Sequence, residues 1–68
     1  MTRRYTCDFQ NAGGEGVTII AELTSAEMAN AAAHPHPAIS ARAHALRRAY
    51  RLVPAGFLHS SVNPIEAH

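Results

Sequence analysis

This 68-residue chain contains five histidines, whose imidazoles could bind a metal ion or act as bases. His34, His36 and His44 are close enough in sequence for their imidazoles to approach one another around a proline-containing segment. Zinc sites usually take four ligands with cysteine among them, or histidine, glutamate or cysteine at helical spacing. Neither pattern is present. The histidines have a different spacing, and the only thiol, Cys7, lies on a predicted strand. We therefore expect no metal and no cofactor.

A cysteine or serine that is activated by a neighbouring histidine could act as a catalytic nucleophile. His59 beside Cys7 would favour the reactive thiolate. A cysteine between Tyr5 and Phe9, on the apolar face of a strand, instead behaves as a small hydrophobic side chain. Ser60 follows His59 directly, but adjacent strand residues point to opposite faces of a sheet. The sequence therefore predicts that this protein is not an enzyme.

The glycine-rich segment 11–16 has a composition that could surround a phosphate. Phosphate loops of the usual kinds open directly into a helix, whereas this segment leads into an apolar strand. Glu15 would also repel an anion. Because glycine adopts the positive φ angles of tight turns, we predict a hairpin turn here.

A group of basic residues on the second predicted helix is the surface feature with the clearest binding chemistry. Its members share one helical face: His44, Arg47, Arg48 and Arg51. Arginine contacts phosphates or carboxylates in planar, bidentate geometry. Three phosphate contacts bind weakly, since each contributes a salt-dependence slope of only about −0.9. The net charge is only +1, so nucleic-acid binding through this face is the alternative function.

Hydrophobic periodicity indicates the strands that position these residues. Apolar and polar side chains alternate over residues 3–10 and again over about 17–23, which predicts two strands joined as a hairpin. Residues 57–62 have the composition of a third, C-terminal strand. Ile20 lies among the outward residues of the second strand, which indicates that the second face of the sheet is also partly covered.

Two helices are predicted between the second and third strands. Thr24 and Glu27 have capping-box spacing, so the first helix begins at Ser25 and extends over about 25–33. Pro37 suits the first position of the next helix, which we predict over about 38–52.

The second predicted helix carries two apolar surfaces. The wider one is expected to cover the sheet and consists of Ile39, Ala43, Leu46, Ala49, Tyr50 and Val53. A narrower strip of Ala41, Ala45 and Leu52 is expected to stay exposed.

The predicted fold is a single small α+β domain over residues 1–68. An antiparallel sheet, made of the hairpin and the C-terminal strand, packs against two helices in the order ββααβ. A hydrophobic content of 47% with 16% charged residues excludes an intrinsically disordered chain. One cysteine allows no internal disulfide, and no apolar run is long enough to span a membrane, so we expect a cytoplasmic protein.

These features together predict a non-enzymatic protein-interaction module. A chain this small, without disulfides, gains stability by self-association, so we expect a homodimer or another protein as partner. The expected apolar contact surface consists of Ile20, Ala41, Ala45 and Leu52.

Overall fold

The predicted element order is confirmed in residues 3–65, the part of the chain that this computed structural model describes. The elements are β1 (Arg3–Gln10), β2 (Gly16–Leu23), α1 (Ser25–Ala32), α2 (Pro37–Tyr50) and β3 (Leu58–Pro64). The third strand starts later than predicted and continues to Pro64, where the N–H of Ile65 still donates to the carbonyl of Arg4 at 2.8 Å.

The three strands form one antiparallel sheet in the order β2-β1-β3, with β1 in the centre. Cys7 pairs with Ile19 of β2 on one side and with Val62 of β3 on the other. The pairing of β1 with β3 shifts between Asp8 and Phe9, where β3 contains an irregularity of the β-bulge kind. As alternation predicts, one face of β1 is buried, and its members are Tyr5, Cys7 and Phe9.

The glycine-rich segment forms the predicted turn between β1 and β2. The Asn11 side-chain carbonyl accepts hydrogen bonds from the N–H groups of Gly13 at 3.0 Å and Glu15 at 2.9 Å. Gly14 has a φ of +83°, a conformation that residues with a Cβ rarely adopt. The asparagine and the glycine together reverse the chain.

Helix α1 begins with the predicted capping box. The Thr24 hydroxyl accepts from the N–H of Glu27 at 3.2 Å, and the Glu27 carboxylate accepts from the N–H of Thr24 at 3.0 Å. These two bonds satisfy donors that the first helical turn cannot pair internally. The capping box therefore fixes the start of α1 directly after the end of β2.

The predicted orientation of α2 is confirmed only in part, since Ala49 of the predicted stripe is buried and Val53 packs against the core. Its buried face consists of Ala41, Ala45 and Ala49, whereas Ile39 is 65% exposed and Leu46 is only half-buried. The fully buried Phe9 and Leu23 supply the bulk of this core, and small alanine side chains fill the remaining space between helix and sheet. Ala41 and Ala45, at 5% and 0% exposure, are therefore interior residues and do not belong to an exposed strip.

The core of the described residues is built largely from small side chains. It contains nine buried residues, and five of them are alanine. Phe9, Leu23 and Cys7 are its largest fully buried members. A core made mostly of small side chains leaves several large apolar side chains outside it.

Neither α1 nor α2 has the length and apolar character needed to cross a membrane.

Candidate functional site

The basic face predicted on α2 is divided in the structure. Arg47 and Arg51 are exposed and His44 is half-buried, whereas Arg48 turns towards α1 and β2. The Arg48 guanidinium lies 2.6 Å from the Glu27 carboxylate and also donates to the backbone carbonyl of Glu22. Arg48 therefore connects three elements of the fold, and two arginines of the predicted face remain available to a ligand.

Glu27 takes part in both the capping box and the ion pair. Its carboxylate accepts from the backbone N–H of Thr24, which holds the pKa of Glu27 below its ordinary value. The nearby Arg48 guanidinium lowers that pKa further. An ionised Glu27 thus joins the start of α1 to the last turns of α2.

The residues predicted as an apolar contact surface do not come together. Ile20 is 58% exposed on the sheet face that points away from the helices, opposite Thr6 of β1. Leu52 is 67% exposed just beyond the end of α2, in the helical layer. The exposure of Ile39 and Leu58 was also not predicted, because hydrophobicity alone suggested that these side chains would be buried.

A polar cluster on the open face of the sheet was not predicted. The Asp8 carboxylate accepts from the Thr18 hydroxyl at 2.6 Å and from the Ser61 hydroxyl at 2.8 Å. Ser60 donates its hydroxyl to the Asp8 backbone carbonyl at 3.1 Å. The Thr18 and Ser61 hydroxyls lower the pKa of Asp8, with the Thr18 bond as the main cause. The carboxylate consequently joins all three strands from the centre of the sheet.

The Asp8 cluster lines an open depression of about 330 Å³. Two of its hydroxyl groups, those of Thr18 and Ser61, donate to a carboxylate whose lowered pKa makes it a weak base. Strand alternation and the hairpin register were sufficient to place Thr18 opposite Asp8. Ser61 joins through a long-range pairing that local sequence patterns do not indicate.

Cys7 and His59 do not form a catalytic pair. Cys7 is fully buried, and burial, together with the charge of Asp8, raises the pKa of its thiol. The ring Nδ1 of His59 lies 3.2 Å from the Tyr50 hydroxyl, which also accepts from the His59 backbone N–H at 3.0 Å. Tyr50 in turn packs edge-on against Phe9, with ring centroids 4.9 Å apart. His59 therefore attaches β3 to α2.

The histidines between the helices form a local turn. The backbone N–H of His36 donates to the His34 ring at 3.0 Å, and the two ring centroids are 6.3 Å apart. Within residues 3–65, His, Cys, Asp and Glu side chains nowhere gather in a group of three that could hold a metal ion.

A second depression, of about 290 Å³, lies where the connection between the helices meets the end of the sheet. Its floor is apolar and includes Tyr5, Met28 and Ala41, and Arg3 and Arg42 also line it. The Arg3 guanidinium lies 5.9 Å from the centre of the Tyr5 ring, within the range of a cation–π contact.

Comparisons with protein families, with characterised proteins and with solved structures found no match to this chain.

Proposed function

We propose that this chain is a non-enzymatic protein-interaction module that acts as a homodimer. The observation that carries the proposal is the distribution of apolar side chains between interior and surface. Alanine dominates the interior, while four larger aliphatic side chains are more than half exposed: Ile20, Ile39, Leu52 and Leu58.

This distribution is unfavourable for an isolated small domain. Burying one isoleucine or leucine side chain contributes about 1.5–3 kcal/mol, and an alanine core forgoes most of that stabilisation. Small chains without disulfides commonly recover it by association, most often as twofold dimers. A second copy would therefore stabilise the fold as well as define its function.

The site chemistry supports a binding role rather than catalysis. The Cys7 thiol is buried with a raised pKa, and the Asp8 carboxylate is occupied by hydroxyl donors. A single cysteine also suits the reducing cytoplasm, where we propose that the protein resides.

Light scattering coupled to size-exclusion chromatography tests the proposal directly. The measured mass is expected to rise from that of one chain to that of two as the concentration increases from low to high micromolar. A mass that stays at one chain throughout this range would contradict the homodimer.

Nucleic-acid binding remains the second candidate, because one observation favours it. Arg47 and Arg51 lie one helical turn apart on the exposed side of α2, and neither forms an ion pair within residues 3–65. Two phosphate contacts per chain would bind duplex DNA weakly, with a salt-dependence slope of about −1.8.

A ¹⁵N-HSQC titration with a short DNA duplex at low and high salt separates the two candidates. Salt-sensitive shifts around Arg47 and Arg51 that disappear in an Arg47→Gln, Arg51→Gln double variant would favour nucleic-acid binding. Arg42→Gln is the matched control, since Arg42 is also exposed on α2 but lies on a different side of the helix. An unchanged spectrum leaves the protein-interaction module as the explanation.

A further inference from the structure

The two edge strands of the sheet differ in how well they are protected. The order β2-β1-β3 leaves one side of β2 and one side of β3 without a neighbouring strand among the described residues. Open edges pair readily with strands of other chains, and proteins usually block them with charges, prolines, bulges or covering groups.

Two hydrogen bonds establish which backbone groups face outward. Ile65 donates to the Arg4 carbonyl at 2.8 Å, and Asn11 donates to the Glu15 carbonyl at 3.0 Å. Since the bonding direction alternates along an antiparallel strand, the even-numbered residues of β1 face β3 and the odd-numbered residues face β2. The residues of β2 whose N–H and C=O point away from β1 are therefore Gly16, Thr18, Ile20 and Glu22.

The edge of β3 is blocked along most of its length. The outward N–H of His59 donates to the Tyr50 hydroxyl at 3.0 Å. An irregularity in the pairing follows, opposite Asp8 and Phe9. Pro64 has no N–H to offer at the other end of the strand. Another chain would find few consecutive partners here.

The edge of β2 is open in its central part. Arg48 occupies only the Glu22 carbonyl, and nothing in residues 3–65 pairs with the outward backbone groups of Thr18 or Ile20. The strand sequence GVTIIAEL contains no proline and no basic residue, and four consecutive residues, 17–20, are β-branched. Such a segment favours an extended, pairing-competent conformation.

We propose that β2 pairs antiparallel with β2 of a second copy, around a twofold axis at Ile19. This inference rests on the proposed homodimer and assigns its interface. In that register each Thr18 lies opposite Ile20 of the second copy, so all the open N–H and C=O groups of both residues are paired. Glu22 lies opposite Gly16 of the second copy, and no like charges meet. The two sheets become one continuous sheet.

Amide hydrogen exchange on the wild-type protein tests this pairing at single residues. At concentrations where the dimer forms, the amides of Thr18 and Ile20 are expected to exchange at least about tenfold more slowly than in the monomer. The outward amide of Val62 on β3 is the internal control, and its rate should stay the same. Fast, concentration-independent exchange at Thr18 and Ile20 in a demonstrated dimer would overturn the assigned interface.

A pair of matched variants provides the second measurement. Ile20 and Ile39 are exposed to similar extents, 58% and 65%, but lie on the β2 edge and on α2 respectively. Ile20→Lys, which places a charge on the edge, is expected to weaken the dimer by at least about tenfold, and Ile39→Lys to leave it unchanged.

The outcomes separate the two proposals. A dimer that survives Ile20→Lys is evidence against the β2 interface but keeps the homodimer, whereas a wild-type protein that stays monomeric refutes both. If Ile20→Lys does not fold, the exchange rates of the wild-type amides still decide.

Discussion

Arg48 illustrates how a surface cation can serve the fold instead of a ligand. Its position on α2 groups it with Arg47 and Arg51, yet its guanidinium reaches the Glu27 carboxylate and the Glu22 carbonyl. The ion pair is partly exposed, with side-chain exposures of 40% and 22%, so water screens much of its Coulomb energy. The hydrogen-bonding geometry therefore matters more than the charge.

Replacing Arg48 should destabilise the protein more than replacing its neighbour. Arg48→Met is expected to lower the free energy of unfolding by about 1 kcal/mol, because two hydrogen-bonded groups lose their donor. Arg47→Met, at an exposed site, should change it by less than about 0.5 kcal/mol. Urea denaturation of both variants checks this, and equal effects would argue against a structural role for Arg48.

Asp8 should make the stability depend on pH. The Thr18 and Ser61 hydroxyls favour the ionised carboxylate and lower its pKa in the folded state. The stabilisation is therefore complete at neutral pH and is lost as the pH falls below about 4, towards the pKa in the folded protein. Asp8→Asn removes the titrating group, so the variant should lose less stability on acidification than the wild type.

Thermal unfolding between neutral and acidic pH measures this difference. Glu27, whose pKa is also lowered, remains in both proteins, so some acid sensitivity should persist in the variant. Parallel pH profiles for Asp8→Asn and wild type would mean that Asp8 contributes nothing to the acid response.

At the scale of elements, the packing of α2 depends on side-chain volume more than on hydrophobicity. Alanines recur along its buried face at positions 41, 45 and 49, spaced by one helical turn. Small residues allow the helix axis to approach the sheet closely, while Phe9 and Leu23 supply the bulk from below. A hydrophobic stripe that contains larger residues is consequently turned partly towards the solvent.

Two leucine substitutions test the orientation of α2. Ala45→Leu is expected to destabilise the fold by about 1–3 kcal/mol, since a fully buried site has no room for three further carbons. Ala43→Leu, at an exposed site, should change the free energy of unfolding by less than about 0.5 kcal/mol, because leucine is nearly as good a helix former as alanine. The reverse order of effects would support the orientation predicted from sequence.

At the scale of the whole molecule, stability and association should be linked. The chain has 68 residues and a core largely of alanine, so its isolated fold is expected to be marginal. Any partner that binds only the folded state raises the apparent stability by mass action. A homodimer then becomes more stable as its own concentration rises.

The unfolding temperature should therefore increase with protein concentration. We expect a rise of about 3–5 °C for a roughly tenfold increase in concentration, measured by calorimetry or circular dichroism. Ile20→Lys, whose dimer is expected to be at least about tenfold weaker, should show a smaller rise over the same concentrations. Superimposable wild-type curves at all concentrations would contradict the linkage.

The elements and their order follow from local patterns in the sequence. Alternation defined β1 and β2, the Thr24 and Glu27 spacing defined the start of α1, and prolines separated the helices. These signals are local, because each depends on hydrogen bonds or dihedral preferences within a few residues. For this reason the α+β class and the order ββααβ could be predicted from sequence patterns alone.

The surfaces that remain available for binding depend on packing between elements that are distant in the sequence. Three features involve residues far apart in the sequence. They are the orientation of α2, the contacts of Arg48 with Glu22 and Glu27, and the hydrogen bond from Ser61 to Asp8. The difference between the open edge of β2 and the blocked edge of β3 also depends on strand order, bulge position and the reach of Tyr50. Packing volume and long-range pairing set these features, and no local pattern in the chain encodes either one.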